Sequence, residues 1–138
     1  MNVQTYLFFN GRTQQALDFY AAAIGASVEM LMRFKDNPEP PNEDCGPIDP
    51  EQVMHASFRV GDSVLMASDG PTPEGAGFAN FSLSFNADDE AGARRAFDAL
   101  ADGGKVVMPL GRTFWSPCFG MLVDRFGLSW MVGVPHKP

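Results

Sequence analysis

The sequence predicts an α+β fold in which two βαβββ modules follow one another in a single chain of 138 residues. The order strand, helix, strand, strand, strand can be read twice, and short residue patterns recur at a spacing of roughly 80 residues, which is too long for a solenoid repeat. The composition is that of an ordinary globular domain, with 45% hydrophobic and 20% charged residues. We therefore expect a first module over residues 1–69, a connector over 70–77 and a second module over 78–138.

The first module opens with a predicted strand over residues 3–9, because this segment is rich in β-branched, aromatic and apolar residues. Apolar residues then recur every three or four positions over 14–24, which predicts a helix. We expect Thr13 to cap this helix by accepting a backbone N–H, and Gly25 to end it in a left-handed conformation. Three more strands are predicted over 26–34, 53–60 and 63–68.

The segment before the third strand is predicted to be a long loop. Residues 36–50 carry five prolines and five acids, which is too many helix and strand breakers for regular structure. A solvated acidic loop over 36–51 is the simplest interpretation, and a lid over a binding site is the alternative.

The second module repeats the order of the first. A strand is predicted over 78–85, a helix over 88–101 with acidic residues in its first turn, and strands over 105–110, 118–124 and 128–134. Two matches align the modules: Phe9 with Phe85, and the Ala16-Leu17-Asp18 run with Ala96-Phe97-Asp98.

Side-chain alternation then divides the first strand of each module into two faces. One face of the first strand carries Gln4, Tyr6 and Phe8. The corresponding face of the fifth strand carries Asn80, Ser82 and Ser84, while Phe81 and Phe85 point toward the helix.

The charge and the hydropathy pattern exclude several classes of partner. A net charge of −7 disfavours nucleic acid and acidic membrane surfaces, and no apolar run approaches the length of a transmembrane helix. The first residues lack the pattern of a signal peptide, so we expect a cytoplasmic protein. A single Cys45–Cys118 disulfide is left open, although a reducing compartment fits two cysteines better.

Motifs along almost the whole chain resemble the PhnB-like branch of the vicinal oxygen chelate superfamily, which includes glyoxalase I, bleomycin-resistance proteins and extradiol dioxygenases. They are Tyr6-Leu7-Phe8-Phe9-Asn10-Gly11, Ala16-Leu17-Asp18-Phe19-Tyr20, His55-Ala56, Val60-Gly61-Asp62-Ser63, Ser68-Asp69, Thr113-Phe114-Trp115, Phe119-Gly120 and Asp124-Arg125-Phe126-Gly127-Leu128-Ser129-Trp130. Arg125 and Leu128 depart from the branch, where Pro and His are frequent. The resemblance implies a cupped, barrel-like mixed sheet around a small-molecule site, and a homodimer that covers the sheet edges.

The superfamily's chemistry depends on a divalent metal held by His, Gln and Glu, and the resemblance allows its ligand positions to be placed. The first falls on Gln4 or Thr5, its counterpart falls on Asn80, and the two glutamate positions fall on Leu65 or Met66 and on Met131. No carboxylate remains among them, and thioethers prefer soft metals. We therefore expect no glyoxalase-type metal site.

No cofactor is expected either. Members of this branch often carry a demethylubiquinone methyltransferase label, yet the sequence has no strand–GxGxxG–helix unit of the kind that binds such a nucleotide-like cofactor.

His55 and Tyr6 are the candidates for catalysis. His55 is interpreted either as a general base or hydrogen-bond partner facing the cup, or as a sheet residue bonded to a backbone carbonyl. Tyr6 is expected to point its hydroxyl into the cup. His136 is expected to be solvated in the tail, and neither Cys45 nor Cys118 is expected to act as a nucleophile.

The segment between the sixth and seventh strands adds two ligand-binding candidates. Arg112 could clamp an anionic ligand, and Trp115 could stack on a planar one. The alternative is that Trp115 packs at a subunit interface. Trp130 is expected to pack against a helix.

Two functional hypotheses follow. The first is a metal-free protein that binds a small molecule in an apolar and aromatic cup, through Gln4, Tyr6, Phe8, Asn80, Ser82, Arg112, Trp115 and Met131. The second is a vicinal-oxygen-chelate enzyme (a lyase, isomerase or dioxygenase), with an unusual metal site or with His55 and Tyr6 in acid–base roles.

Overall fold

The computed structural model describes residues 1–38, 49–70 and 77–135. The chain forms two compact units, Met1–Ala76 and Gly77–Pro138, and each contains one α-helix and one four-stranded mixed sheet. The predicted α+β class and the twice-repeated βαβββ order are confirmed. Cys45, His136, most of the acidic loop and residues 71–76 lie outside the described residues.

The first unit contains a sheet with the strand order β1-β4-β3-β2. Strand β1 pairs in parallel with β4, and the other pairs are antiparallel. The elements are β1 (Tyr6–Phe8), α1 (Thr13–Ile24), β2 (Ser27–Arg33), a short 3-10 helix (Phe34–Asp36), β3 (Val53–Val60) and β4 (Ser63–Ser68).

The second unit has the corresponding strand order, β5-β8-β7-β6, with β5 and β8 as its parallel pair. Its elements are β5 (Leu83–Asn86), α2 (Glu90–Ala101), β6 (Lys105–Gly111), β7 (Phe119–Val123) and β8 (Ser129–Gly133).

Each helix packs on one face of its own sheet and buries an apolar stripe there. In the first unit, the ring of Tyr20 lies 6.3 Å from that of Phe58 and 6.2 Å from that of Phe9, measured between centroids. Burial of these rings and of the aliphatic side chains around them supplies most of the hydrophobic stabilisation of the unit. The face of each sheet opposite its helix is called the open face.

The buried positions of the two helices repeat with the predicted alignment. Helix α1 buries Thr13, Ala16, Leu17 and Tyr20, and helix α2 buries Ala93, Ala96, Phe97 and Leu100. The spacing within each set is the same, so the helices present equivalent stripes to their sheets.

The predicted match of Phe9 with Phe85 is wrong by two residues. A register shift follows Val28 in β2 and Val106 in β6, so Met30 and Met108 are equivalent. Pairing across the first sheet connects Met30 through β3 and β4 to Tyr6, and pairing across the second sheet connects Met108 through β7 and β8 to Ser84. Tyr6 is therefore equivalent to Ser84, and the next residue, Leu7, is equivalent to Phe85. The connection from strand to helix is two residues longer in the second unit, and an even shift leaves the two faces of the strand as predicted.

The predicted cap at Thr13 is also wrong. Arg12 is the N-cap residue of α1 and makes no side-chain capping bond, while Thr13 is the first helical residue. The backbone N–H of Thr13 instead donates to Oδ1 of Asp69 at 2.8 Å. A carboxylate from the end of β4 therefore satisfies the start of the helix. Gly25 ends α1 in the left-handed conformation, with φ of 70°, as predicted.

The predicted fifth strand begins too early. Strand β5 starts at Leu83, and Asn80 has a positive φ of 66°, a left-handed conformation that interrupts an extended chain. Phe81 was expected to face a helix, but it lies before the strand and is 44% exposed. No helix among the described residues is long and apolar enough to span a membrane.

Candidate functional site

The open face of the first sheet presents aromatic side chains from its edge strand. Along β1, Leu7 is buried against the helix side at 1% exposure, while Tyr6 and Phe8 on the other face are 36% and 40% exposed. Their ring centroids lie 5.0 Å apart with an angle of 32° between the planes. Alternation along one short strand therefore produces a partly exposed aromatic surface.

The hydroxyl of Tyr6 lies 3.0 Å from Nδ1 of His55, which belongs to β3. The two ring centroids are 5.6 Å apart. Tyr6 pairs with Met66 on β4, and His55 lies near that position on the next strand, so the sheet brings the two residues together from positions distant in sequence. Of the two interpretations of His55, the structure favours a hydrogen-bond partner on the open face over a sheet residue bonded to a backbone carbonyl.

Three polar residues predicted to lie on the first and fifth strands lie outside those strands. Gln4 is exposed and precedes β1. Asn80 and Ser82 are also exposed, and both precede β5. Thr5 contributes its backbone carbonyl, which accepts from the N–H of Met66 at 2.9 Å. Because the strands are shorter than predicted, strand alternation does not set the direction of these side chains.

The residues at the expected metal-ligand positions do not fit a divalent metal. Of the two residues expected at the first glutamate position, Leu65 is buried, and Met66 lies beside Tyr6 on the open face. Register makes Met131 its equivalent in the second sheet. A divalent hard or borderline metal needs oxygen or nitrogen donors, and the thioethers of Met66 and Met131 do not supply them.

The described residues contain no group of three or more His, Cys, Asp or Glu side chains that could hold a metal ion. The absence of a bound metal stays a prediction.

The open face of the second sheet carries a row of methionines. Met108, Met121 and Met131 are register partners on β6, β7 and β8, and Ser84 on β5 completes the row. All three methionines are half-buried. Flexible, polarisable side chains of this kind adapt to ligands of different shape.

An exposed aromatic pair precedes β7. Phe114 is 92% exposed and Trp115 is 47% exposed, with ring centroids 4.8 Å apart. Trp115 also contacts Phe119, the first residue of β7, at 5.4 Å between centroids. Sequence reasoning identified Trp115 but gave no role to Phe114 or Phe119, which together extend its aromatic surface.

Hydrogen bonds of Ser116 hold the loop that carries this pair. The Ser116 hydroxyl lies 2.8 Å from the carbonyl oxygen of Cys118 and 2.7 Å from that of Val134, and the Ser116 carbonyl accepts from the N–H of Thr113 at 2.9 Å. These hydrogen bonds restrain the loop, which lowers the entropic cost of binding at its aromatic tip. Arg112 is exposed at its start.

Two buried carboxylates organise the backbone around these faces. Asp69 accepts from the N–H groups of Thr13 and Val53, and Asp124 accepts from Phe126, Leu128 and the indole Nε1 of Trp130. Trp130, which was expected to pack against a helix, is buried. Sequence reasoning missed both structural roles, although an acid directly after an apolar strand was an available signal.

Cys118 is buried beneath the loop. Burial raises the pKa of its thiol, the carboxylate of Glu90 raises it further, and Arg94 opposes this. A thiol with a raised pKa is a weak nucleophile at neutral pH, in agreement with the expectation that Cys118 is not catalytic.

Comparison with known proteins identifies relatives over nearly the whole chain. A family model described as 3-demethylubiquinone-9 3-methyltransferase matches residues 1–133. Protein YjdN of Escherichia coli K12 is 31% identical over 140 residues, which cover 97% of this chain and 95% of that protein.

Solved structures agree with this result. Protein PA1353 from Pseudomonas aeruginosa is 41% identical with a TM-score of 0.84, covering 99% of each chain. A Bacillus cereus protein, described as a putative 3-demethylubiquinone-9 3-methyltransferase, PhnB protein, is 27% identical with a TM-score of 0.81, covering 97% of this chain and 99% of that one. A glyoxalase-related enzyme from Fulvimarina pelagi, 16% identical with a TM-score of 0.63 over 97% of this chain and 88% of that one, shares the fold alone.

Proposed function

Because the chain belongs to the PhnB-like 3-demethylubiquinone-9 3-methyltransferase family, within the vicinal oxygen chelate superfamily, we propose that it binds a small planar molecule on the open face of its first sheet, without a divalent metal. The observation that carries the proposal is the exposed pair of Tyr6 and Phe8, whose ring centroids lie 5.0 Å apart. The contact between Tyr6 and His55 supplies a polar anchor beside this apolar surface.

The surface has the composition of a small-molecule site. Such sites combine apolar and aromatic walls with a few placed polar groups, and here aromatic rings, the Met66 thioether and the Tyr6–His55 pair lie on adjacent strands. Aromatic rings already ordered by their neighbours lose little conformational entropy when they stack on a ligand. We propose Trp115, Arg112 and Met131 as a separate binding surface of the second unit, where Trp115 offers the stacking face.

Methyl transfer is not proposed, because the described residues do not fit the nucleotide-like cofactor that the family description implies. Such a cofactor binds where a parallel strand leads through a Gly-rich turn into a helix N-terminus. Here Asp69 occupies the N–H of Thr13 at the start of α1, and Asp89 caps α2 through the N–H of Gly92 at 2.7 Å. Negative side chains at both helix starts oppose an anionic or carboxylate-bearing cofactor.

The binding proposal is tested with 2-naphthol, a fluorescent planar phenol, titrated into the purified protein. We expect binding to weaken about tenfold in Phe8→Ala, which corresponds to about 1.4 kcal/mol and is the scale of one aromatic contact. The matched control is Phe81→Ala, which removes an aromatic side chain of similar exposure that precedes β5 in the second unit. Full affinity in Phe8→Ala would refute the placement of the site on the first sheet, and loss of affinity in Trp115→Ala alone would assign binding to the separate surface of the second unit.

A second candidate function is acid–base catalysis by a member of the same superfamily. The specific observation that favours it is the 3.0 Å contact between the Tyr6 hydroxyl and the His55 imidazole. Elemental analysis of protein purified without added metal separates the two candidates from a metal enzyme, since a stoichiometric transition metal would contradict both.

A further inference from the structure

The Tyr6–His55 pair keeps hydrogen-bonding capacity that the protein itself does not use. In the part of the chain that the structure describes, the Tyr6 hydroxyl has His55 Nδ1 as its partner, and His55 Nε2 has none. Tyr6 is 36% exposed and His55 is half-buried. Both groups can therefore reach a molecule bound against Phe8.

The pair has two neutral arrangements that differ only in where its protons lie. In the first, Nδ1–H donates to the Tyr6 oxygen, so the hydroxyl is a free donor and Nε2 is a free base. In the second, the Tyr6 hydroxyl donates to Nδ1, and Nε2 carries the proton. Conversion of the first arrangement into the second adds a proton at Nε2 and releases a proton from the Tyr6 hydroxyl.

We propose that this pair catalyses metal-free proton transfer between carbon and oxygen, the keto–enol tautomerisation of a neutral, planar carbonyl compound. His55 Nε2 removes a proton from the carbon next to the carbonyl, and the electron pair of that C–H bond forms the C=C bond. The Tyr6 hydroxyl gives its proton to the carbonyl oxygen as the C=O π bond opens, and Nδ1 gives its proton to the Tyr6 oxygen. The pair ends in its second arrangement, without net charge and without a co-reactant.

The surroundings of the pair favour a neutral substrate. Arg59, on the same face of β3 as His55, is neutralised by Glu29, whose Oε1 lies 2.7 Å from Arg59 Nε. Among the described residues, the charged side chain that shares this face of β3 is therefore already paired, and the protein's net charge of −7 repels anions. A transfer that creates no net charge suits an apolar surface, because burying an uncompensated ion is costly.

The inference rests on the proposed function, since the substrate is held by the binding surface of Tyr6 and Phe8. It is tested with 2-indanone, a flat, neutral ketone with acidic hydrogens beside its carbonyl, incubated with the protein in D2O. Deuterium incorporation is followed by proton NMR, and binding of the same ketone is measured by saturation transfer. We expect exchange above the buffer rate in the unmodified protein.

Tyr6→Phe and His55→Gln are each expected to lower the protein-dependent exchange by roughly 100-fold or more, the scale of general acid–base catalysis. Binding of 2-indanone to Tyr6→Phe should change less than about threefold, because the aromatic ring is kept. Met30→Leu, on the same sheet at β2, is the matched control and should retain both exchange and binding.

Binding without exchange above the buffer rate would overturn the catalytic inference and leave the binding proposal standing. Exchange that survives both Tyr6→Phe and His55→Gln would equally overturn it, since the pair would not be its source. Absence of both binding and exchange would contradict the inference and count against the proposed function as well, which Phe8→Ala with 2-naphthol then tests separately.

Discussion

Met66 and Met131 occupy the same position in two separate sheets. Met66 is the register partner of Tyr6 on β1 and of Ser57 on β3, and Met131 is the partner of Ser84 on β5 and of Met121 on β7. These are the positions at which the resemblance to metal-binding relatives places glutamates. A thioether at both positions replaces a charged oxygen ligand with a neutral, soft one.

Replacing one of these thioethers should create metal affinity. In Met66→Glu a carboxylate would stand on the open face near His55, so we expect Zn²⁺ to bind about tenfold or more tightly than to the unmodified protein, which corresponds to about 1.4 kcal/mol. Calorimetric titration with Zn²⁺ measures this, and Met66→Gln is the control of matched shape. Tight, stoichiometric Zn²⁺ binding by the unmodified protein would instead show that the metal-free expectation is wrong.

The buried carboxylate of Asp69 should be important for stability. Its two oxygens accept from the N–H groups of Thr13 and Val53 at 2.8 and 2.7 Å, and removing it leaves both donors buried. We expect Asp69→Ala to lower the free energy of unfolding by about 2–4 kcal/mol, since each unsatisfied buried donor costs about 1–3 kcal/mol. Urea denaturation measures the loss.

Asp98→Ala serves as the control for that measurement, because Asp98 is exposed on α2 and its removal should change stability by less than about 0.5 kcal/mol. Equal losses in the two variants would mean that the Asp69 hydrogen bonds contribute nothing specific.

Replacement of Thr13 by valine should make the protein more stable. Its side chain is fully buried, and Oγ1 has no hydrogen-bond partner among the described residues, while the second unit has Ala93 at the equivalent helix position. Thr13→Val keeps the shape and removes the buried hydroxyl, so we expect a gain of about 1 kcal/mol in unfolding free energy. A loss of stability would imply that an ordered water satisfies Oγ1.

The thiol of Cys118 should react slowly and with a shifted pH dependence. Burial, reinforced by Glu90, raises its pKa above the ordinary value of 9.0, and the thiolate is the reactive form. In a Cys45→Ser background, alkylation by iodoacetamide at pH 8 should be slower in the folded protein than in urea, and should accelerate as the pH rises beyond 9.

The raised pKa of Cys118 also determines how the stability of the protein depends on pH. Below the unfolded-state pKa the thiol is protonated in both states, so stability is unaffected; above it the unfolded state loses the proton first, and stability falls as pH rises toward the folded-state pKa. Equal alkylation rates in the folded and unfolded protein would contradict the assignment of Cys118 as a buried residue.

The sequence by itself determined the element order, because each element has a local signal. The apolar stripe of α1, the left-handed glycine at Gly25 and the turn at Gly61-Asp62 act over a few residues, and the hairpin strands Val53–Val60 and Ser63–Ser68 have the predicted bounds. The residues that face the open side of β1 were likewise predictable, since strand alternation has a period of two and survives an even error in register.

Only the tertiary structure decided which distant residues meet. The contact of Tyr6 with His55 depends on β1 pairing with β4 and β4 with β3, across 49 positions of sequence. The capping of α1 by Asp69, rather than by Thr13, depends on the end of β4 reaching the start of the helix. Local pattern records which face a side chain occupies, but strand pairing decides its neighbours, and hydrogen bonds and acid–base chemistry depend on those neighbours.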